Sequence, residues 1–282
     1  LKQEAIRLIE ESELLPELKP EIQKLLRFTI NLELELVEPA SLPPGSSKIG
    51  GRPDLPPDFE WPWIHEKVGD KTWDRPLLFV AQLNLKDLNR LKPDLFPADG
   101  ILYFWDDYHG HDDGWKVWYY DGPAETLVRT ANPNEEEDKN ILNVYDDIRL
   151  NECRIHFRPG WMLPPTENMH LWNLLSRERL GDVYPEQEEI YEQLFNQIRF
   201  LSSQNIHRIL GYPDGWEVVD MTYRERKENG TEEEWLLLLQ LVDDSQATMS
   251  WGDAGCLNYW IRLEDLKNKQ FQNIYRWWEQ GC

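Results

Sequence analysis

Lys48, Arg52, Asp54 and Gln82 in the first half of the chain, and Arg208, Asp214 and Gln240 in the second, are the residues whose types and spacing could do chemistry. Asp54 closes the box Lys48-Ile49-Gly50-Gly51-Arg52-Pro53-Asp54, and Asp214 closes Arg208-Ile209-Leu210-Gly211-Tyr212-Pro213-Asp214. Gln82 follows its Asp by 28 residues and Gln240 follows its own by 26. Each Gln interrupts an otherwise apolar run, Leu77 to Leu83 or Leu236 to Leu241. A buried amide left unpaired costs about 1–3 kcal/mol, so each Gln must find partners. One solution is a bond to the Asp of the neighbouring box or to an exposed backbone edge. The other is that the two amides, with Arg52, Asp54, Arg208 and Asp214, line a ligand site in a groove shared by the two halves. Turn chemistry explains the Gly, Pro and Asp of each box without a ligand, because Gly supplies unusual backbone angles, Pro fixes φ and Asp accepts from nearby N–H groups. It explains Lys48 and Arg52 least.

A second cluster could hold a metal. Asp106-Asp107-Tyr108-His109-Gly110-His111-Asp112-Asp113 gathers imidazoles and carboxylates, with His109, His111 and Asp112 as the candidate ligands of a divalent ion. It lies between two strand-like runs, Ile101 to Trp105 and Trp115 to Tyr120, where a polar hairpin loop belongs, and the second half has no counterpart. A metal-dependent hydrolase built on this loop is the alternative reading; no metal or other cofactor is the primary one. The chain has no G-x-S-x-G, no phosphate-binding loop, no H-E-x-x-H and no dinucleotide fingerprint. Asp146-Asp147 and Asp243-Asp244 are adjacent pairs that on a strand would point to opposite faces.

The elements that must position these residues are themselves repeated. Gly100-Ile101-Leu102-Tyr103-Phe104-Trp105 returns as Gly255-Cys256-Leu257-Asn258-Tyr259-Trp260, in the same order after the Asp and Gln boxes. Leu32, Leu34 and Leu36 alternate with Glu33 and Glu35 before Leu42-Pro43-Pro44. Cys153, Ile155 and Phe157 alternate likewise before Leu163-Pro164-Pro165, with Pro159 expected to end the strand. The pattern predicts an α+β protein, internally duplicated and two-lobed, each lobe a twisted antiparallel sheet with packed helices. The expected divisions are N-terminal helices over 1–30, a first lobe over 31–131, a link over 132–151 and a second lobe over 152–282 with a helical insertion at 166–205. In that insertion Ile190, Leu194, Ile198 and Leu201 recur at helical spacing. Asn229-Gly230 predicts a tight hairpin turn, Trp61 to Arg75 a loop, and the segment after Trp260 a last helix with Leu266, Phe271, Ile274, Tyr275 and Trp278 turned inward.

Composition narrows the partners. Lys plus Arg number 30 against 52 Asp plus Glu, a net charge of −22 that repels phosphate backbones and anionic lipid head groups alike. Nucleic acid and membrane surfaces are therefore excluded, and a basic protein or a small ligand remains. The longest apolar runs are strand-sized, far short of the roughly 20 residues a membrane helix needs. Three cysteines, Cys153, Cys256 and Cys282, form no C-x-x-C pair and predict no disulfide framework, which suits a reducing cytoplasm. Fourteen Trp is several times ordinary usage and is explained by rings filling the space on sheet faces, ahead of a carbohydrate platform.

The boxes resemble the YwqG-like family, a bacterial group of unknown function. The resemblance rests on Lys48 to Pro56, Trp61-Pro62, Pro76 to Leu83, Leu210 to Asp214, and Trp251-Gly252-Asp253-Ala254-Gly255 leading into Leu257 to Ile261. It implies an α+β protein on antiparallel sheets and brings no catalytic residues. Asn258 departs from the pattern, in which a second aromatic is more usual, and is expected to face a polar neighbour. The function expected from these residues is non-catalytic: a cytoplasmic binding or protein-interaction module, with an immunity factor against a basic toxin as one version and a small-ligand or sugar-binding protein as another.

Overall fold

Alternating apolar residues build the centre of the molecule. A computed structural model describes residues 1–68, 71–108, 114–135, 149–166, 168–201, 207–214 and 234–279. Ten strands form one continuous sheet: β1 (Arg27–Leu36), β2 (Lys48–Ile49), β6 (Leu78–Asn84), β7 (Ile101–Asp106), β8 (Trp115–Tyr120), β10 (Cys153–Met162), β11 (Arg208–Leu210), β12 (Trp235–Val242), β13 (Cys256–Arg262) and β14 (Tyr275–Glu279). Their spatial order is β14-β13-β12-β11-β1-β10-β2-β6-β7-β8, with antiparallel neighbours throughout. The two expected sheets are thus joined into one.

The order reads the same outward from either side of the central β1–β10 pair. Beyond β1 lie β11 to β14, and beyond β10 lie β2, β6, β7 and β8. The register obeys the same exchange. Ile30 opposes Ile209 while Cys153 opposes Ile49, and the swap that sends Ile30 to Cys153 sends Leu36 to Pro159 and leaves Glu33 opposite His156. Each box strand also pairs its leading cation with the Gln strand, Lys48 with Gln82 and Arg208 with Gln240. A bulge precedes both glutamines, between Phe79 and Ala81 and between Leu237 and Leu239. Such bulges bend a strand and raise its twist.

Twist curls the sheet into a nearly closed, barrel-like wall. Phe104 on β7 meets Tyr259 on β13 with ring centroids 5.0 Å apart, and Tyr119 on β8 meets Phe271 at 5.0 Å. The interior is filled by Ile30, Leu32, Val80, Leu83, Leu102, Phe104, Leu239, Leu241, Leu257, Tyr259 and their neighbours. Strand β7 shows how period 2 sorts two buried faces: Leu102 and Phe104 turn inward, whereas Ile101, Tyr103 and Trp105 pack with Leu55, Ile64, Leu77 and Phe79 in a separate outer cluster. That outer cluster takes residues from β3 (Asp54–Leu55), which pairs with β9 (Val128–Arg129), and from the hairpin of β4 (Trp63–Val68) and β5 (Lys71–Pro76).

Helices lie outside the sheet. α1 (Lys2–Glu11), α2 (Lys19–Lys24) and α6 (Tyr184–Phe200) share a core of Ala5, Ile9, Leu18, Ile22, Tyr191, Leu194 and Ile198. Shorter helices are α3 (Leu85–Leu91), α4 (Met169–Leu174), α5 (Arg177–Leu180) and α7 (Leu263–Lys267).

Four local expectations are corrected. The segment Trp61 to Arg75 holds the β4–β5 hairpin and not a loop, because Trp63 and Ile64 oppose Pro76 and Arg75. The last helix is only the short α7; Tyr275 to Glu279 form edge strand β14, which the Tyr-Arg-Trp-Trp run satisfies by aligning with β13. Pro159 does not end β10, which continues to Met162. Cys256 is disulfide-bonded, whereas Cys153 is a free, buried thiol, so one covalent link does occur. The Asn229-Gly230 turn lies outside the described residues, as does 136–148, most of the expected link. No helix among the described residues is long and apolar enough to cross a membrane.

Candidate functional site

Each box folds its turn back over the outer face of the barrel and is clipped there by its Gln. Asp54 donates its backbone N–H to Gln82 Oε1 at 2.9 Å, and Gln82 Nε2 donates to Asp54 Oδ2 at 2.8 Å and to the Ser46 carbonyl at 2.8 Å. Asp214 N–H donates to Gln240 Oε1 at 2.8 Å, and Gln240 Nε2 donates to Asp214 Oδ2 at 3.1 Å. The leading cation of each box reaches four residues ahead: Lys48 Nζ donates to the Arg52 carbonyl, and Arg208 Nη1 to the Tyr212 carbonyl at 2.9 Å. Gly50 and Gly51 take φ of 62° and 66°, and Leu210 and Gly211 take 63° and 80°, so both turns use consecutive left-handed residues.

The two sets do not share one cavity. Strands β1 and β10 stand between β2 and β11, which separates the boxes by three interstrand spacings, on the order of 14 Å. Gln82 and Gln240 therefore serve the turns of their own halves.

Around the first box the structure assembles ionic partners that the sequence does not announce. Lys48 is fully buried and donates to Glu152 Oε1 at 3.2 Å. Arg129 on β9 sends Nε to Asp54 Oδ1 at 2.8 Å, Nη1 to Glu152 Oε1 at 3.4 Å and Nη2 to the Leu42 carbonyl at 3.0 Å. Gly45 N–H adds a bond to Asp54 Oδ2 at 2.9 Å. Burial pushes the Lys48 ammonium pKa down, and the Asp54 and Glu152 charges pull it only part of the way back. Burial also works against the Asp54 carboxylate, but bonds from Arg129, the charge of Lys48 and bonds from Gln82 and Gly45 together outweigh it and hold its pKa below the ordinary range. Two cations and two carboxylates close a neutral network, the arrangement that buried charge requires.

That network forms one wall of a cleft of about 450 Å³. Among the described residues, Arg52, Arg129 and Arg149 line it together with one carboxylate, Glu152, while Trp61, Leu78 and Phe79 supply an apolar floor. Trp61 is fixed by donating its indole N–H to the Leu77 carbonyl at 2.9 Å. Of the residues expected at a site, Arg52 alone lines this cleft; Lys48, Asp54 and Gln82 lie directly behind its wall, and Arg208, Asp214 and Gln240 lie at the other box. Arg129 and Glu152 escape a sequence reading because they sit 75 and 104 residues from their partners Asp54 and Lys48. The only local hint is that Glu152 directly precedes the repeated strand β10.

In the second half Arg208 Nη2 meets Asp214 Oδ2 at 2.6 Å, with Arg199 Nη2 at 4.0 Å. Asn258 is buried beside Gln240, its cross-strand neighbour, and donates to Cys256 Sγ at 3.2 Å, which answers the expectation of a polar neighbour. His109, His111 and Asp112 lie outside the described residues, and among the described residues no group of three or more His, Cys, Asp or Glu could hold a metal ion.

Residues 47–280 match the model of a domain of unknown function, DUF1963, and the chain belongs to that family. No curated protein matches it.

Proposed function

We propose that the chain is a YwqG-like, internally duplicated binding module of the cytoplasm that works without catalysis, and that its site is the cleft beside Arg52, which takes an anionic group carried on an apolar stem. The doubled unit would comprise lobes 31–131 and 152–282, joined by link 132–151, preceded by helices 1–30 and interrupted by the insertion 166–205. One observation carries the functional reading. In a chain of net charge −22, the described lining of the cleft gathers three guanidinium groups and one carboxylate over Trp61 and Phe79. Guanidinium groups recognise carboxylates and phosphates through forked donors, and an apolar floor beside them selects a stem. The non-catalytic part is supported by the glutamines and aspartates, which bond to one another within their own turns.

Titration with phenyl phosphate, followed through the indole N–H resonance of Trp61, tests the reading. A saturable shift that phenol does not reproduce and that Arg52→Glu abolishes is expected. An unmoved Trp61 resonance, or equal shifts from phenol, would reject it. The acidic surface supports a second mode for the same module, docking of a basic protein; association that is insensitive to salt would count against that mode.

A further inference from the structure

The cleft has a counterpart at the other box. A cavity of about 700 Å³ is lined by Arg27 and Phe28 at the start of β1, by Leu210 at the end of β11 and Gly211 after it, and by Leu236 and Leu237 at the start of β12. The exchange of β1 with β10 and of one box with the other carries this lining onto the first cleft. Gly211 falls on Gly51, Leu236 and Leu237 fall on Leu78 and Phe79, and Arg27 and Phe28 fall on Leu150 and Asn151, all of which line the first cleft. The two hollows therefore arise at the same station of the fold, where the left-handed turn leaves the sheet just before the bulge of the Gln strand.

Their walls differ in side chains and agree in chemistry. The second cavity contains Arg27, Lys92 and Lys267 against Asp94 and Glu234, over a floor of Trp235, Leu236 and Leu237. Two of these cations are held by rings: the Arg27 guanidinium lies 4.1 Å from the Tyr212 ring centroid, and the Lys92 ammonium 5.3 Å from that of Phe28. A cation resting on a ring face is partly ordered in advance and loses less freedom when it binds a ligand. Among the described residues cations again outnumber carboxylates, in a chain whose sum is −22.

We infer that this cavity is a second binding site, for the same class of ligand: an acidic group on an aromatic or aliphatic stem. The inference rests on the reading of the first cleft as an anion site. Asp94 and Glu234 make the second site the weaker, because their negative potential opposes the ligand's charge. A partner presenting two acidic, apolar-stemmed anchors would engage both, the second contact being made at the effective concentration set by the first.

Phenyl phosphate is the probe, phenol its uncharged control, and the protein carries 5-fluorotryptophan with Trp61 and Trp235 assigned by single Trp→Phe replacements. Both resonances are expected to shift saturably with phenyl phosphate, Trp235 at the higher concentration. Lys92→Glu combined with Lys267→Glu, two exposed positions, should weaken the Trp235 response by about tenfold or more and leave the Trp61 response in place. Arg52→Glu should do the reverse. A Trp235 resonance that stays fixed while Trp61 responds overturns the second site and leaves the first reading standing. Silence at both overturns both, and an equal Trp235 response to phenol overturns the anionic class. Loss of both responses in the double lysine variant, with the melting temperature unchanged, would show one site where two are inferred.

Discussion

Asp106 on β7 receives two hydrogen bonds from the guanidinium of Arg276 on β14, Nε to Oδ2 at 2.9 Å and Nη2 to Oδ1 at 2.8 Å. β14 is one edge of the sheet and β7 lies one strand from the other, so this buried pair ties the two ends of the curled wall together. Arg276→Met would strand a fully buried carboxylate and should cost about 3–5 kcal/mol in urea unfolding. Adding Asp106→Leu should return much of that loss, since an apolar pair of similar volume needs no desolvation of charge. A single-variant cost below about 1 kcal/mol would mean that the pair does not hold the ends.

The Gln clips predict a graded effect. Gln82→Ala leaves the Asp54 N–H and carboxylate short of partners in a site closed to solvent, and a loss of about 2–3 kcal/mol is expected. Gln240→Ala should cost less, because the Asp214 side chain is 14% exposed and water can replace the amide, while that of Asp54 is 0% exposed. Denaturation midpoints of the two variants check the order; equal losses would contradict it.

Backbone geometry supplies a matched pair. Gly50 and Gly181 have nearly the same φ, 62° and 60°, but a Cβ on Gly50 would lie 2.3 Å from the Asn151 carbonyl oxygen, whereas one on Gly181 meets nothing within 4 Å. Gly181→Ala should therefore cost only the left-handed penalty, about 1–2 kcal/mol. Gly50→Ala should cost clearly more and disturb the junction of the first box with β10. Thermal unfolding of both variants would show it.

Acid should unfold the protein through carboxylates held low in the folded state. Asp54 is one; Asp244 is another, held down first by the bond from His207 Nε2 at 3.2 Å, against burial and with help from the Ala247 and Gln246 N–H groups. His207 Nδ1 accepts from the Val242 N–H at 3.2 Å, which fixes the tautomer that donates to Asp244. A lowered folded pKa gives stability that is present above the unfolded value of about 4 and is lost as pH falls. Asp106 acts in the other sense: burial pushes its pKa up to about 6 against the pull of Arg276, so its contribution is present below about pH 4 and is lost as pH rises through 6. Unfolding midpoints between pH 3 and 7 should fall steeply below about pH 4, and Asp54→Asn should flatten that fall.

Much of this architecture was legible where the physics is local. The Gly-x-Pro-Asp turns, the apolar strands with one amide, and the stripe Ile190, Leu194, Ile198 are short-range patterns, and each appears in place. The partners of those turns were half legible: Asp and Gln kept their spacing, so their pairing could be proposed, whereas Arg129, Glu152 and Arg276 reach across the sheet and leave no spacing to read. Asp106 illustrates the difficulty. In sequence it heads an acidic, His-bearing loop; in the fold it is the last residue of β7, turned to a cation 170 residues away. Tyr275 to Glu279 misled in another manner, since Tyr275 and Trp278 with Ile274 and Phe271 fit a helical stripe as well as an edge strand, and only pairing with β13 decides between them.

β1 stands between β10 and β11, and β10 stands between β1 and β2, so each half lends its opening strand to the other's wing. Neither portion owns a complete hydrogen-bonding ladder. Severing the chain between them would yield fragments that each miss an interior member, expose raw edges and associate with the wrong neighbours until the complementary piece arrives. The two portions of the chain are interlocked: each completes its sheet only with a strand supplied by the other.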